Sequence, residues 1–290
     1  MKKMYIATFL LFLLCFINLN AENRIIYLIS APRSLSTAFL RMMEARHDFT
    51  LFNEPSQAAF ETAYFHDMSV DWYAENAPKN FQEVKEMIFS TAQTSSVFVK
   101  EISYGVHDAI LQDELFMQDT RIQFAILVRD PHAIAISFYQ KIKHVPEHYD
   151  VLIGTKKLYE LYETLVKQSP NPVPIVFAED LAANPKETVS ALCKGLSIPF
   201  LEESLSWSKH DDKGYENWNE FKKNSSVELW HGAALKSETF SNLTHYEKDS
   251  TGKPTFAEIE DPQDRLKIEN AYGENAPYYE LFLKTNNLKK

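Results

Sequence analysis

Short, nearly continuous apolar runs recur along this chain and alternate with stretches whose apolar residues return every three or four positions. Arg24 to Ile29, Phe49 to Phe52, Ser96 to Val99, Ile122 to Val128 and Val173 to Phe177 are runs of the first kind. Their length and β-branched content predict strands buried on both faces. Phe81 to Ala92 is of the second kind, with Phe81, Val84, Met87 and Ile88 on one face, and the same period predicts helices over Ala38 to Arg46, Asp108 to Met117, Pro131 to about Lys143 and Tyr159 to Val166. Pro131 suits a first helical turn. A last helical region, Pro262 to Leu283, is expected to bend or break at Gly273 and Pro277. His210 to Thr255, rich in Asp, Lys, Asn, Ser and Trp, predicts an irregular insertion. Strands alternating with helices predict one α/β domain, a parallel sheet flanked by helices on both faces. Ligands of such sheets lie beyond the carboxyl ends of the strands, where Arg33, Glu54, Lys100 and Arg129 fall.

Composition narrows this picture. The chain has 290 residues and 45% hydrophobic content, enough for one substantial core and unlike a disordered or collagen-like protein. Met1-Lys2-Lys3, an apolar run from Ile6 to Leu19 and a small residue at Ala21 form the three parts of a secretory signal peptide. That predicts a signal over residues 1–21, a single domain over residues 22–290 and an exported protein, periplasmic or secreted. The alternative is a membrane tether through an uncleaved N-terminal anchor. Loss of residues 1–21 takes the formal charge from −10 to −12, and so acidic a surface repels nucleic acid. Cys15 leaves with the signal, so Cys193 would remain without an intramolecular partner.

The chemistry concentrates in two places. The first strand runs into Ser30-Ala31-Pro32-Arg33-Ser34-Leu35-Ser36-Thr37 and then a helix. Backbone N–H groups and hydroxyls at a helix start can hold a phosphate or sulfate, although a Ser-rich turn can also serve only as a cap. The Ile122 to Val128 strand leads into Arg129-Asp130-Pro131, with Ser137 eight positions after the Arg. An Arg and a Ser there would hold a second anionic group.

At these residues the chain resembles the sulfotransferase family, which moves a sulfonate from 3′-phosphoadenosine 5′-phosphosulfate to an acceptor. Val176-Phe177-Ala178-Glu179-Asp180-Leu181, Asn184-Pro185-Lys186-Glu187-Thr188 and Leu196-Ser197-Ile198-Pro199-Phe200 also resemble that family, so the likeness runs from about Arg24 to Phe200. Pro-Arg-Ser-Leu-Ser-Thr is closest to a sulfotransferase-like branch that often carries an aminotransferase label. The resemblance implies a P-loop NTPase-like fold. It implies that Arg33 contacts the bridging and sulfonate oxygens, and that Ser34, Leu35, Ser36 and Thr37 complete the 5′-phosphosulfate loop. Arg129 and Ser137 would hold the 3′-phosphate, since Arg pairs with phosphate through two hydrogen bonds. No metal is implied, because protein cations do its work. Glu54 would be the general base, its pKa raised by burial beside the Pro55 turn, and Lys100 matches a family lysine at a strand end. Trp230, in Trp230-His231 with Ser237 and Phe240, lies where related chains close over the nucleotide and could stack on adenine.

The chain also departs from the family. Leu35 stands where Gly is usual, and its Cβ resists positive φ. Arg33 replaces the commoner Lys, and Ile102 stands where one branch places its base His, leaving Glu101 and His107 as rivals to Glu54. Two other readings remain open. A nucleotide kinase or hydrolase would use Asp130 for magnesium, but the loop lacks Gly-Lys-Ser/Thr. A binding protein could keep the fold without catalysis. The acceptor, whether small molecule, carbohydrate or protein, would meet loops such as Ser56 to Trp72, Lys143 to Thr155 and His210 to Thr255. His144 and His148 flank Pro146 and lack the Glu of a zinc motif, so they predict a loop and no metal site.

Overall fold

A computed structural model describes residues 23–64, 72–142, 145, 148–209, 216–240, 243–244 and 246–287. The expected signal segment, His144 and parts of the loops expected to meet an acceptor (residues 65–71, 143–144, 146–147, 210–215, 241–242 and 245) lie outside the described residues. Five strands form: β1 (Ile25–Ser30), β2 (Thr50–Asn53), β3 (Val97–Ile102), β4 (Ile122–Val128) and β5 (Ile175–Phe177). They pair in the order β2-β3-β1-β4-β5, and every pairing is parallel. This is the α/β sheet that the apolar runs predict, because a strand covered on both faces has no polar side to show. Ile25, Ile26 and Ile29 are all fully buried, as are Ile122 and Phe124.

The helices are α1 (Ser36–Arg46), α2 (Gln57–Tyr64), α3 (Phe81–Thr91), α4 (Ser103–Leu111), α5 (Glu114–Met117), α6 (Pro131–Ile142), α7 (Tyr149–Ile153), α8 (Thr155–Gln168), α9 (Ala178–Ala183), α10 (Pro185–Gly195), α11 (Asn224–Leu235) and α12 (Pro262–Asn287). Strand alternation sorts the core into two layers. Ile25, Tyr27 and Ile29 face one, with α3, α4, α6, α8 and α12, while Ile26 and Leu28 face the other, with α1 and α10. None of the described helices is long and apolar enough to cross a membrane.

Three expectations need correction. The region read as irregular contains α11, whose Val227 and Leu235 are buried in the second layer. The segments read as variable loops hold α2 and α7. The last helix does not break, being one continuous element through Pro277. Proline removes a backbone donor and crowds the carbonyl four residues earlier, which belongs here to the side-chain-free Gly273. Burial of Ile268 and Phe282 holds the helix on both sides of that point. Asn275 holds it too, donating to Asp150 O at 3.0 Å and accepting from Lys156 N at 3.0 Å.

Connectivity places the site. The chain goes from the central β1 outward to β2, returns through β3 and crosses to β4 on the other side of β1. The carboxyl ends of β1 and β4 therefore flank a topological switch point, where crevices form in such sheets.

Candidate functional site

The loop after β1 leaves backbone donors free at the start of α1. Leu35 is the N-cap of α1, and its carbonyl accepts the helix's first hydrogen bond from Phe39 N at 2.9 Å. The N–H groups of Ser36, Thr37 and Ala38 thus lack intrahelical acceptors, and no side chain caps them. Leu35 adopts φ +66° and Arg33 φ +56°. The Cβ at position 35 does not prevent the left-handed turn; it makes that turn strained, by about 1–2 kcal/mol. Leu35 offsets part of this by packing on the second core layer. Leu35→Gly is therefore expected to unfold within about 1 kcal/mol of the parent in urea, since strain relief opposes lost burial. Leu35→Val, which branches at Cβ, should cost about 2 kcal/mol.

The two elements expected to hold anions are joined. Arg33 Nε donates to Ser137 Oγ at 3.2 Å and Arg33 Nη1 to Trp230 O at 3.1 Å. Arg129 Nη1 donates to the Arg33 carbonyl, and its Nε is buried without a partner. Burial first, and then each other's charge in the case of Arg33, pulls the pKa of both guanidinium groups down. Their desolvated charge favours an anion. Ser34 is turned inward, donating to Ala31 O at 2.5 Å.

A cavity of about 450 Å³ opens over this loop. Arg33, Ser34, Leu35, Ser36, Thr37, Glu54, Lys100, Arg129 and Trp230 all line it. Ser137 reaches it through Arg33. Apolar groups from Ile102, Tyr104, Phe138, Ile142 and Leu152 form much of the remaining wall, with Trp72 and Leu229. The Trp230 ring lies 5.3 Å from that of Phe138.

Glu54 sits at φ +51° just past β2 and joins the cluster on the cavity floor. Its Oε1 accepts from Lys100 Nζ and its Oε2 from Lys222 Nζ at 2.5 Å. Burial, the largest influence, pushes the Glu54 pKa up as its position leads one to expect. Lys100, Lys222 and His231 reverse that and hold it well below the usual carboxylate range. Glu54 is thus a fixed anion whose basicity two ammonium groups suppress. Lys222 also lies 3.7 Å from Glu220 Oε1. Burial works against the Lys222 charge, but Glu220, Glu54 and Glu61 outweigh it and raise its pKa. Glu61 is the second carboxylate lining the cavity, held by Gln57 Nε2 at 2.8 Å and Tyr73 OH at 2.7 Å.

The rival bases are elsewhere. Alternation along β3 turns Glu101 away from Lys100, onto the Tyr27 side of the sheet. Its Oε1 accepts from Ser56 N at 2.9 Å and Tyr27 OH at 3.4 Å, and it does not line the cavity. His107, on α4, lies between Asp108 at 2.6 Å and Glu160 at 3.3 Å. Asp130 caps α6 through His132 N at 2.9 Å. Glu179 accepts from Asp130 N at 3.0 Å, tying the two strand ends together.

Lys222, Glu220 and Glu61 were not singled out from the sequence. Glu220 and Lys222 alternate around Phe221 in a short extended piece that bridges to Tyr73, with Ala74 N donating to Phe221 O at 2.8 Å. That two-residue charge alternation was the available signal.

A parallel sheet, an uncapped helix start after β1 and an Arg after β4 that grips the β1 loop thus set free backbone donors and two buried guanidinium groups together at one end of the sheet. A family profile for the sulfotransferase domain matches residues 24–241, and the chain belongs to this family. It is 30% identical over 193 residues to branched-chain-amino-acid aminotransferase-like protein 1 of Arabidopsis thaliana, across 64% of this chain and 32% of that protein. Protein 2 of the same name and plant is 30% identical over 185 residues, across 63% and 32%. This chain therefore spans about a third of the length of those curated relatives. Among solved structures it is similar to the sulfotransferase domain of the curacin biosynthetic pathway, at 21% identity and TM-score 0.49, over 77% of this chain and 94% of that one. It is also similar to a mouse sulfotransferase complexed with PAP, at 13% identity and TM-score 0.41, over 88% and 85%.

Proposed function

We propose that this protein transfers a sulfonate from 3′-phosphoadenosine 5′-phosphosulfate to a hydroxyl or amine acceptor. The carrying observation is the direct linkage of the two anion elements, through Arg33 Nε to Ser137 Oγ and Arg129 Nη1 to Arg33 O. In this reading the phosphosulfate lies against the free N–H groups of α1 and the Arg33 guanidinium, and Arg129 with Ser137 takes the 3′-phosphate. Transfer is an in-line displacement. The acceptor oxygen or nitrogen forms a bond to sulfur as the bond from sulfur to the bridging oxygen breaks, and the electron pair stays with the leaving phosphate.

Glu54 takes the acceptor's proton, and Lys100 links this step to the other end of the reaction. Negative charge growing on the leaving group draws the Lys100 ammonium toward it, which loosens the Lys100 hold on Glu54. Basicity then rises when it is needed. The apolar upper wall suits an acceptor with an apolar or aromatic body. The N-terminal run supports a reading of export.

The test is calorimetric titration of adenosine 3′,5′-bisphosphate into the chain. Binding of roughly micromolar strength is expected, weakened at least ~10-fold by Arg33→Ala and by Arg129→Ala, since hydrogen bonds to charged groups contribute about 1.5–3 kcal/mol. No binding to a well-folded sample would overturn the donor. Transfer that survives Glu54→Gln would overturn the base.

A further inference from the structure

Thr37 stands on the first turn of α1, on the wall of the cavity, and its Oγ1 lies 3.0 Å from His231 Nδ1. The far side of that imidazole determines the direction of this bond. His231 Nε2 lies 3.3 Å from Asn53 Nδ2, and the same Asn53 Nδ2 donates to a carboxylate oxygen of Glu220. A carboxylate fixes the amide's orientation, because turning Asn53 over would set its carbonyl oxygen against Glu220. The amide nitrogen can only donate, so Nε2 of a neutral His231 accepts. The ring proton must then sit on Nδ1.

His231 is buried, 4% exposed, and burial first and then Lys100, Lys222 and Arg33 hold its pKa well below the ordinary value, so the ring is neutral. With Nδ1–H donating, Thr37 Oγ1 is the acceptor in this bond. Its own hydrogen is left free, and no other hydrogen bond of the Thr37 hydroxyl occurs among the described residues. That hydrogen and the N–H groups of Ser36, Thr37 and Ala38 are then available to the same anion.

We propose that His231 is a positioning residue: through the chain Glu220, Asn53, His231, Thr37 it fixes the Thr37 hydroxyl as a hydrogen-bond donor to the oxyanion held at the start of α1. The proposal rests on the donor reading for the anion's identity but not for the hydrogen-bond chain. His231 reaches the loop from α11, nearly two hundred residues later in sequence. The loop is therefore set for its ligand by the segment that also supplies Trp230 and Lys222.

Two measurements test this. In the ligand-free protein, histidine ring nitrogen shifts should report the Nδ1–H form of His231, and the Nε2–H form would overturn the proposal whatever binds. In titrations with adenosine 3′,5′-bisphosphate, and in parallel with inorganic pyrophosphate, Thr37→Val and His231→Gln should each weaken binding about 10-fold or more. The double variant should be no weaker than Thr37→Val alone, because the histidine acts through the hydroxyl. His231→Asn places an amide N–H near the position of Nδ1 and should recover most of the affinity lost in His231→Gln. Equal losses from His231→Gln with and without the Thr37 hydroxyl would overturn the positioning role. If pyrophosphate binds with this pattern and the bisphosphate does not bind, the positioning stands and the adenosine donor falls. If neither probe binds, both fall.

Discussion

Replacing Lys222 with methionine is expected to lower the unfolding free energy by about 3–5 kcal/mol, the range for stripping one partner from a buried ion pair. Lys222 is 7% exposed and neutralises Glu54 and Glu220 at once. Lys100 would still cover one oxygen of Glu54, so the variant keeps one carboxylate too many in a dry site. The pH dependence identifies the cause. In the parent, Glu54 has a depressed pKa, so its contribution is complete above the ordinary carboxylate range and is lost as pH falls through the depressed folded value. In Lys222→Met the surplus carboxylate has a raised pKa, and the deficit should grow as pH rises above the ordinary carboxylate range. Urea unfolding at about pH 5 and about pH 8 should show the smaller deficit at the lower pH. Adding Glu220→Gln should recover most of the loss at the higher pH. Simple additivity of the two substitutions would show that Lys222 and Glu220 do not share one charge balance.

The residues that make this cluster explain what could be read in advance. Strands β1 and β4, and β3 as far as Val99, were legible because burial on both faces leaves a nearly continuous apolar run in the sequence. The residues expected to hold anions are local in sequence, with Arg33 to Thr37 in one loop and helix start and Arg129 just ahead of the helix that carries Ser137. Glu54, Lys100 and Arg129 could be placed at the carboxyl end by counting from those runs. The partners that decide their chemistry could not. Lys222 lies 168 positions from Glu54 in sequence, on a segment whose mixed polar composition looks like any solvated loop. The pKa expectation for Glu54 failed for that reason, since its burial was visible in the sequence and the two lysines beside it were not. Helix α11 was missed because its apolar residues, Val227, Leu229, Trp230 and Leu235, are divided between the core and the cavity wall rather than collected on one stripe.

Glu101 should give the chain a second pH dependence, opposite in sign to that of Glu54. It is fully buried, with Oε2 lacking any partner, and burial, the dominant cause, pushes its pKa up to about 8. The Ser56 N–H and Lys222 pull it down, and Glu54 pushes it further up. An unfolded glutamate releases its proton near pH 4.3, while the folded one holds its proton until about pH 8. Across that window the folded state binds more protons, so stability falls as pH rises, by about 1.4 kcal/mol per unit and several kcal/mol in all. Glu101→Gln imitates the protonated acid and keeps an oxygen for Ser56 N and Tyr27 OH. The variant should match the parent near pH 4.5 and exceed it by several kcal/mol near pH 8, in denaturant unfolding followed at both pH values. Equal stability of the two proteins at pH 8 would mean that Glu101 is already ionised there and finds its compensation in the protein. Because Glu101 faces Tyr27 rather than the cavity, the same substitution should leave adenosine 3′,5′-bisphosphate binding within about threefold of the parent. A large loss would show that the Ser56 contact transmits the state of Glu101 to the turn carrying Glu54.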